Sequence, residues 1–227
     1  MCKGTTFELW QAHCIRELMA IPGVTPALLI VDAERIILGG INLGAEFATW
    51  DDVSVSIPMS EVRNHRVQLF LSGFRGGRRL ERAYIEAISS ARTDISMAHG
   101  YFLPDRSIVR ALRAARKRGV RVRILVPARS DVPFARVGTI RSYRRLVPAG
   151  IEMFEHKSGI LHAKAAVIDG TTALIGSFNL DPLSLVNFEV LARIHDERIA
   201  RELLGWMDER IDRADRVAPP DPSDVSW

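Results

Sequence analysis

The chain has 227 residues, 47% hydrophobic and 26% charged, with a formal net charge of +4, an ordinary balance for a globular protein with one sizeable core or two small packed halves. No apolar run approaches the ~20 residues that a membrane-spanning helix needs, because the longest candidate, Pro26 to Gly44, is broken by Asp32, Glu34 and Arg35. The start shows no basic segment leading into an apolar one, and Cys2 and Cys14 are the only cysteines, so we expect no secretory signal, no disulfide framework and a reducing cytoplasm.

In chain order, Phe7 to Met19 suggests a short helix, stopped by Pro22-Gly23. Ala27–Val31 and Arg35–Leu38 read as a hairpin, and the alternation over Val53–Ile57 predicts a third strand. Strands then alternate with helices. Val67–Leu71 and Asp94–Ala98 read as strands around an amphipathic helix over Arg78–Ala91. Asp105 is placed to cap a helix running to Arg118 and ending at Gly119. Val120–Val126 is a strand, Val137–Val147 a helix, and Ile151–Phe154, Ala163–Ile168, Thr172–Ile175 and Glu189–Ile194 are strands. Glu197–Arg213 is a closing helix, and the Pro- and Asp-rich tail from Ala218 reads as disordered. This pattern predicts an α/β layered fold with a mostly parallel or mixed central sheet flanked by helices.

A shift of 137 positions lays Val31-Asp32-Ala33 on Ile168-Asp169-Gly170, and residues 38–43 on residues 175–180, which points to a duplicated half-domain. The second copy, residues 161–179, holds His162, Lys164 two positions later, then Asp169, Gly176, Ser177 and Asn179. Positions two apart on a strand share a face, so His162 and Lys164 set an imidazole beside a fixed cation, a pairing suited to a phosphate. Lysine is scarce, 4 against 27 arginines, which makes Lys164 more informative. Ser177 and Asn179 follow the next strand and can add hydrogen bonds to phosphate oxygens.

His-x-Lys-x4-Asp followed by Gly-Ser-x-Asn resembles the signature of the phospholipase D superfamily. Residues 97–131, the stretch Asn179 to Val190 and the stretch Gly40 to Phe47 are similar to bacterial cardiolipin synthases, with Glu189 at the family's downstream acidic position. The resemblance implies attack on phosphorus by one histidine, a phosphohistidine intermediate, and a second histidine that protonates the leaving alcohol. It implies that Lys164, Asn179 and Asn42 bind the equatorial oxygens and that Asp169 orients a ring nitrogen of the histidine. It implies no cofactor and no metal. The expected substrate is an anionic, phosphatidylglycerol-like phospholipid, met by peripheral contact at the inner face of a membrane, with nucleic acid the less favoured partner.

The first copy departs from the pattern. Thr25 and Ala27 stand where histidine and lysine belong, and the copy is short, with the stretch from Trp50 to Val67 also reading as compressed. We therefore expect a degenerate first half over 1–64, an intact half over 65–216 and a tail over 217–227. The second histidine then comes from a homodimer that completes the site, or from His99 at a strand end, with His13 an unanchored alternative; otherwise the chain is a relic that binds phosphate or lipid. Trp10, Trp50 and Trp206 read as core. The Arg-rich helix from Arg110 to Arg123 reads as a solvated face, with a membrane-surface role as the alternative. The leading reading is a phosphatidyltransferase or phospholipase of cardiolipin synthase type, the second a homodimeric phosphodiesterase or nuclease.

Overall fold

The computed structural model describes residues 8–11, 28–31, 34–40, 50–72, 76–130 and 133–219. A small sheet holds β1 (Glu8–Gln11), β2 (Leu28–Val31), β3 (Arg35–Gly39) and β4 (Val53–Pro58), all antiparallel, in the order β1-β4-β3-β2. Helix α1 (Met59–Arg63) leads to β5 (Val67–Leu71), α2 (Arg78–Ser90), β6 (Asp94–His99), α3 (Arg106–Lys117), β7 (Arg121–Pro127) and α4 (Pro133–Leu146). Then follow β8 (Glu152–His156), β9 (Lys164–Ile168), β10 (Thr172–Gly176), β11 (Val190–His195), α5 (Glu197–Ile211) and β12 (Asp215–Arg216). The large sheet has the order β12-β8-β7-β6-β9-β10-β11-β5.

Helix ends follow local chemistry. Asp105 accepts hydrogen bonds from the Ser107 and Ile108 amides at 2.7 and 3.0 Å and opens α3, which stops before Gly119 at φ +92°. Asp196 caps α5 through the Ile199 amide. Strands β9 and β10 read as apolar runs because both faces of the large sheet are covered. One face buries Leu80, Leu112, Ile124 and Leu174 under α2 and α3. The other buries Ala165, Val167 and Ile175 against α5 and the small sheet, whose Leu38, Val53 and Val55 join that core.

The large sheet is mixed, as expected, though only its β6–β7 and β7–β8 ladders are parallel. Short turns and a single loop join β9, β10 and β11, and such links reverse the chain, whereas α3 and α4 carry it back in parallel. Residues 8–11, placed in a helix by sequence, form a strand because β4 offers them a ladder. Val217, placed in the tail, donates its amide to the Met153 carbonyl at 2.9 Å. Residues 220–227 lie outside the described residues.

The repeat extends further than the sequence match. Leu28 pairs Leu38 as Ala165 pairs Ile175, and Val31 pairs Arg35 as Ile168 pairs Thr172, in the same register after the shift of 137. The next ladder obeys the same shift: Gly39 faces Ser54 as Gly176 faces Leu191. Strand β1 meets β4 as β5 meets β11. The first copy thus keeps four matching strands, with no compression between residues 39 and 58. Its shortening falls between β1 and β2, where residues 12–27 stand in place of residues 72–164, and after β4, where the five residues of α1 stand where α5 has fifteen.

Candidate active site

His162 lies just before β9, where the two sheets are stitched together. The His162 amide donates to the Asp51 carbonyl, and the Asp51 amide to the Ile160 carbonyl, both at 2.8 Å. Gly100 lets these segments close up, because a Cβ there would stand 2.8 Å from the His162 Cα. A second network holds the same joint. Arg210 reaches Asp51 Oδ1 through two nitrogens at 2.7 and 3.0 Å, and His156 Nε2 lies 2.6 Å from Asp51 Oδ2. Burial raises the affinity of Asp51 for its proton, but the bonds from His156 and Arg210 outweigh it and hold the carboxyl below its ordinary range.

His162 Nδ1 is 2.7 Å from Oδ2 of Asp52, a residue only 3% exposed. An ionised carboxylate only accepts, so Nδ1 carries the proton and Nε2 keeps its lone pair. The other Asp52 oxygen accepts the Val53 amide at 2.8 Å. Lys164 is buried, and its Nζ lies 2.7 Å from Nδ1 and 2.8 Å from Nε2 of the His162 ring while also meeting the His162 carbonyl. The ring is flanked by Trp50, with centroids 4.9 Å apart, and by Tyr101 at 5.8 Å, edge-on. Trp50, read from sequence as core, is therefore a wall of this site.

Asp169 is not there. It occupies the turn beyond the other end of β9, roughly 20 Å away at strand rise. At φ +52° its carboxylate accepts the amides of Arg92, Thr93 and Asp94 and the Thr93 hydroxyl, at 2.8–3.1 Å. Burial would raise its pKa, but these N–H donors win and hold it below the usual carboxylate range. The role expected of Asp169 at the ring nitrogen is filled by Asp52.

His99 also fails as the second catalytic histidine. It is fully buried between Tyr84 and Phe102, with ring centroids at 5.6 and 6.1 Å, and neither ring nitrogen has a partner among the described residues. Burial, reinforced by the charge of Lys164 facing it across β6 and β9, drops its pKa to about 3. Such a ring is neutral and shielded.

The remaining residues cluster near Lys164. Ser177 Oγ donates to Glu189 and accepts the Val190 amide at 3.1 Å. Gly176 is required by packing, since a Cβ would lie 2.1 Å from the Val190 carbonyl. Asn179 is buried, with its amide on Ser184 Oγ at 3.2 Å and its Oδ1 without a partner among the described residues. Burial raises the Glu189 pKa despite hydrogen bonds from Ser177 and Ser184 and the charge of Lys164. Asn42, Thr25, Ala27 and His13 lie outside the described residues.

The loop that carries these groups turns large apolar side chains to solvent. Phe188 is 76% and Leu183 67% exposed, with Val186 of the same loop and Leu71 on the edge strand β5 also exposed. Large apolar side chains turned to solvent within one short loop suit a contact surface. Among the described residues, no helix is long and apolar enough to cross a membrane.

The sequence model of the family described as "Cardiolipin synthase, PLD-like domain" matches residues 84–211. Cardiolipin synthase B of Escherichia coli (strain K12) is 39% identical over 125 residues, which are 55% of this chain and 30% of that protein. Cardiolipin synthase 2 of Staphylococcus epidermidis is 38% identical over 125 residues, 55% of this chain and 26% of its own length. The match thus spans less than a third of these relatives. Among solved structures, Nuc of Salmonella typhimurium, a phospholipase D family member, is similar with a TM-score of 0.59 and 26% identity, over 66% of this chain and 98% of that one. Phosphatidylserine synthase of Haemophilus influenzae has a TM-score of 0.63 over 81% of this chain and 61% of that one; at 10% identity the likeness shows the fold alone.

Proposed function

The chain belongs to the cardiolipin synthase, PLD-like domain family, and from that premise we propose that it transfers or hydrolyses the phosphodiester of an anionic, phosphatidylglycerol-like phospholipid. The observation that carries this reading is the His162 ring, fixed by Asp52 at Nδ1 and by Lys164 at its side. Nε2 of His162 attacks phosphorus, forming a P–N bond as the bond to the leaving alcohol breaks. An alcohol or water then breaks the P–N bond. A phosphate oxygen is a better acceptor for an ammonium than an imidazole nitrogen, so bound substrate draws Lys164 off Nε2 and frees the lone pair. The same ammonium then faces the charge that builds on the equatorial oxygens. The leaving alkoxide needs a proton. Glu189, its carboxyl raised by burial and within charge range of Lys164, is our candidate to give it.

The apolar rim of Leu183, Val186 and Phe188 favours a lipid over a nucleic acid. The homodimeric alternative, in which a second His162 meets this one, is disfavoured because the small sheet of the same chain covers the neighbouring face at Leu161 and Ala163. The test is incubation of the purified protein with phosphatidylglycerol vesicles, with DNA and with a chromogenic phosphodiester. Cardiolipin or phosphatidic acid formed by the native chain and abolished in His162→Ala supports the reading. Nicked DNA with intact lipid, or no turnover of any substrate, refutes it.

A further inference from the structure

Helices α3 and α4 differ from the other long helices in charge. Between them they carry nine Arg and Lys residues and no Asp or Glu. The whole chain has a net charge of +4, so everything outside these two helices sums to −5. A codon bias toward arginine would enrich every helix and would not strip carboxylates from two of them. Helix α5, by contrast, mixes three arginines with four acidic residues and pairs Arg198 with Glu202 at 2.7 Å.

On α3 the cations Arg106, Arg110, Arg113 and Lys117 recur every three or four residues, which aligns them on one face, opposite the buried Ile108, Ala111, Leu112 and Ala115. With Arg145 of α4 they rim a groove floored by Val109. All five side chains are exposed, and none has a carboxylate partner among the described residues. Like charges at this spacing repel, so the fold alone gives no reason to gather them. On α4, Val137 and Ile140 stand 48% and 43% exposed beside Arg141 and Arg144. Branched apolar side chains among arginines suit a headgroup layer, where cations meet phosphates and the apolar groups reach the acyl boundary. They do not suit single-stranded nucleic acid, which stacks on aromatic rings. Tyr143, the ring described on this face, is tied back to Glu155 at 2.7 Å.

We propose that the α3–α4 face docks the protein on an anionic phospholipid surface. This rests on the phospholipid reading above only for its choice of lipid, and it assigns the contact to helices separate from the His162 site. Each Lys or Arg near such a surface adds about 1 kcal/mol, or about fivefold. The experiment is flotation of the full chain with vesicles of equal phosphatidylglycerol and phosphatidylcholine, and with phosphatidylcholine alone. Native protein is expected on the anionic vesicles and to come off as salt rises. The triple variant Arg110→Gln, Arg113→Gln, Lys117→Gln is expected to bind about a hundredfold more weakly. A double variant on α5, Arg198→Gln with Arg201→Gln, should bind as the native chain does, and all variants should melt at the native temperature. The triple variant should keep its turnover of a water-soluble phosphodiester. His162→Ala should lose turnover and still bind vesicles, so failure of the catalytic reading leaves this one standing. Native protein that ignores anionic vesicles, a triple variant that binds them undiminished, or the same residues needed for DNA in place of vesicles each overturns the proposal.

Discussion

His162 Nδ1 lies 2.7 Å from Asp52 Oδ2, joining residues 110 positions apart that come from the two copies of the repeat. The pairing leaves Nε2 as the basic nitrogen. Asp52→Asn keeps the shape but offers the ring an amide, which admits the wrong tautomer. In a His–Asp pair of another hydrolase this change lowers kcat by about 10⁴. We expect a fall of about 10²–10⁴-fold here, read with a chromogenic phosphodiester, and an unchanged circular dichroism spectrum. Activity within a few-fold of native would show that Asp52 does not set the tautomer.

Asp169→Ala tests the opposite assignment. Its carboxylate serves the amides of Arg92, Thr93 and Asp94, far from the ring. Losing charged hydrogen bonds costs about 1.5–3 kcal/mol in stability, measured by urea unfolding, while turnover per folded molecule stays native. The lowered pKa means this contribution is present above 3.8, the unfolded value, and is lost as pH falls through the folded one. Asp169→Asn accepts the positive φ and should lose less.

These two aspartates show how far the sequence could be read. Caps, periodic helices and apolar strands were legible because each rests on contacts within a few residues, as Asp105 on α3 does. Strand β1 was not, because four residues, Glu8–Gln11, carry too short a pattern and take their shape from β4. Sheet direction depends on which strands the loops bring together. Asp169 misled because seven residues along a strand lead away from the histidine. Asp52 was missed although its signal was present: the shift of 137 that aligns Asp32 with Asp169 also aligns Asp52 with Glu189. The sequence match fades past Leu43, and only the register of β4 and β11 carries it on to Asp52 and Glu189.

His99 makes the fold sensitive to acid. In the folded chain it takes a proton only near pH 3, whereas its ordinary value is 6.5. As pH falls the unfolded chain protonates first, so stability is full above about 6.5 and is lost on the way down to about 3. At about pH 4.5 the loss is about 2–3 kcal/mol. Since neither ring nitrogen is partnered among the described residues, His99→Phe should match native stability at neutral pH and lose less of it in acid. Thermal melts at the two pH values decide this, and parallel shifts in both proteins would count against it.

Glu189 is expected to set the alkaline limb of the pH–rate profile. A general acid works only while protonated, so activity falls as pH rises through its raised pKa. Glu189→Gln should cut turnover about 10²–10⁴-fold for a substrate with a poor leaving group. A nitrophenolate leaves without a proton, so that substrate should suffer far less. Equal losses for both would assign Glu189 to positioning Ser177 instead.

Phe188 and Leu183 are exposed beside the site, so they should matter only when the substrate lies in a lipid surface. Burying a large apolar side chain yields about 1.5–3 kcal/mol. Phe188→Ser is therefore expected to lower the apparent affinity for phosphatidylglycerol vesicles about tenfold or more. Its turnover of a soluble phosphodiester and its melting temperature should remain native, because an exposed ring contributes little to the core. The double variant with Leu183→Ser should compound the loss on vesicles alone. If soluble and vesicle substrates decline together, the loop shapes the catalytic groups through Ser184 and Asn179, and the rim is not what reads the lipid.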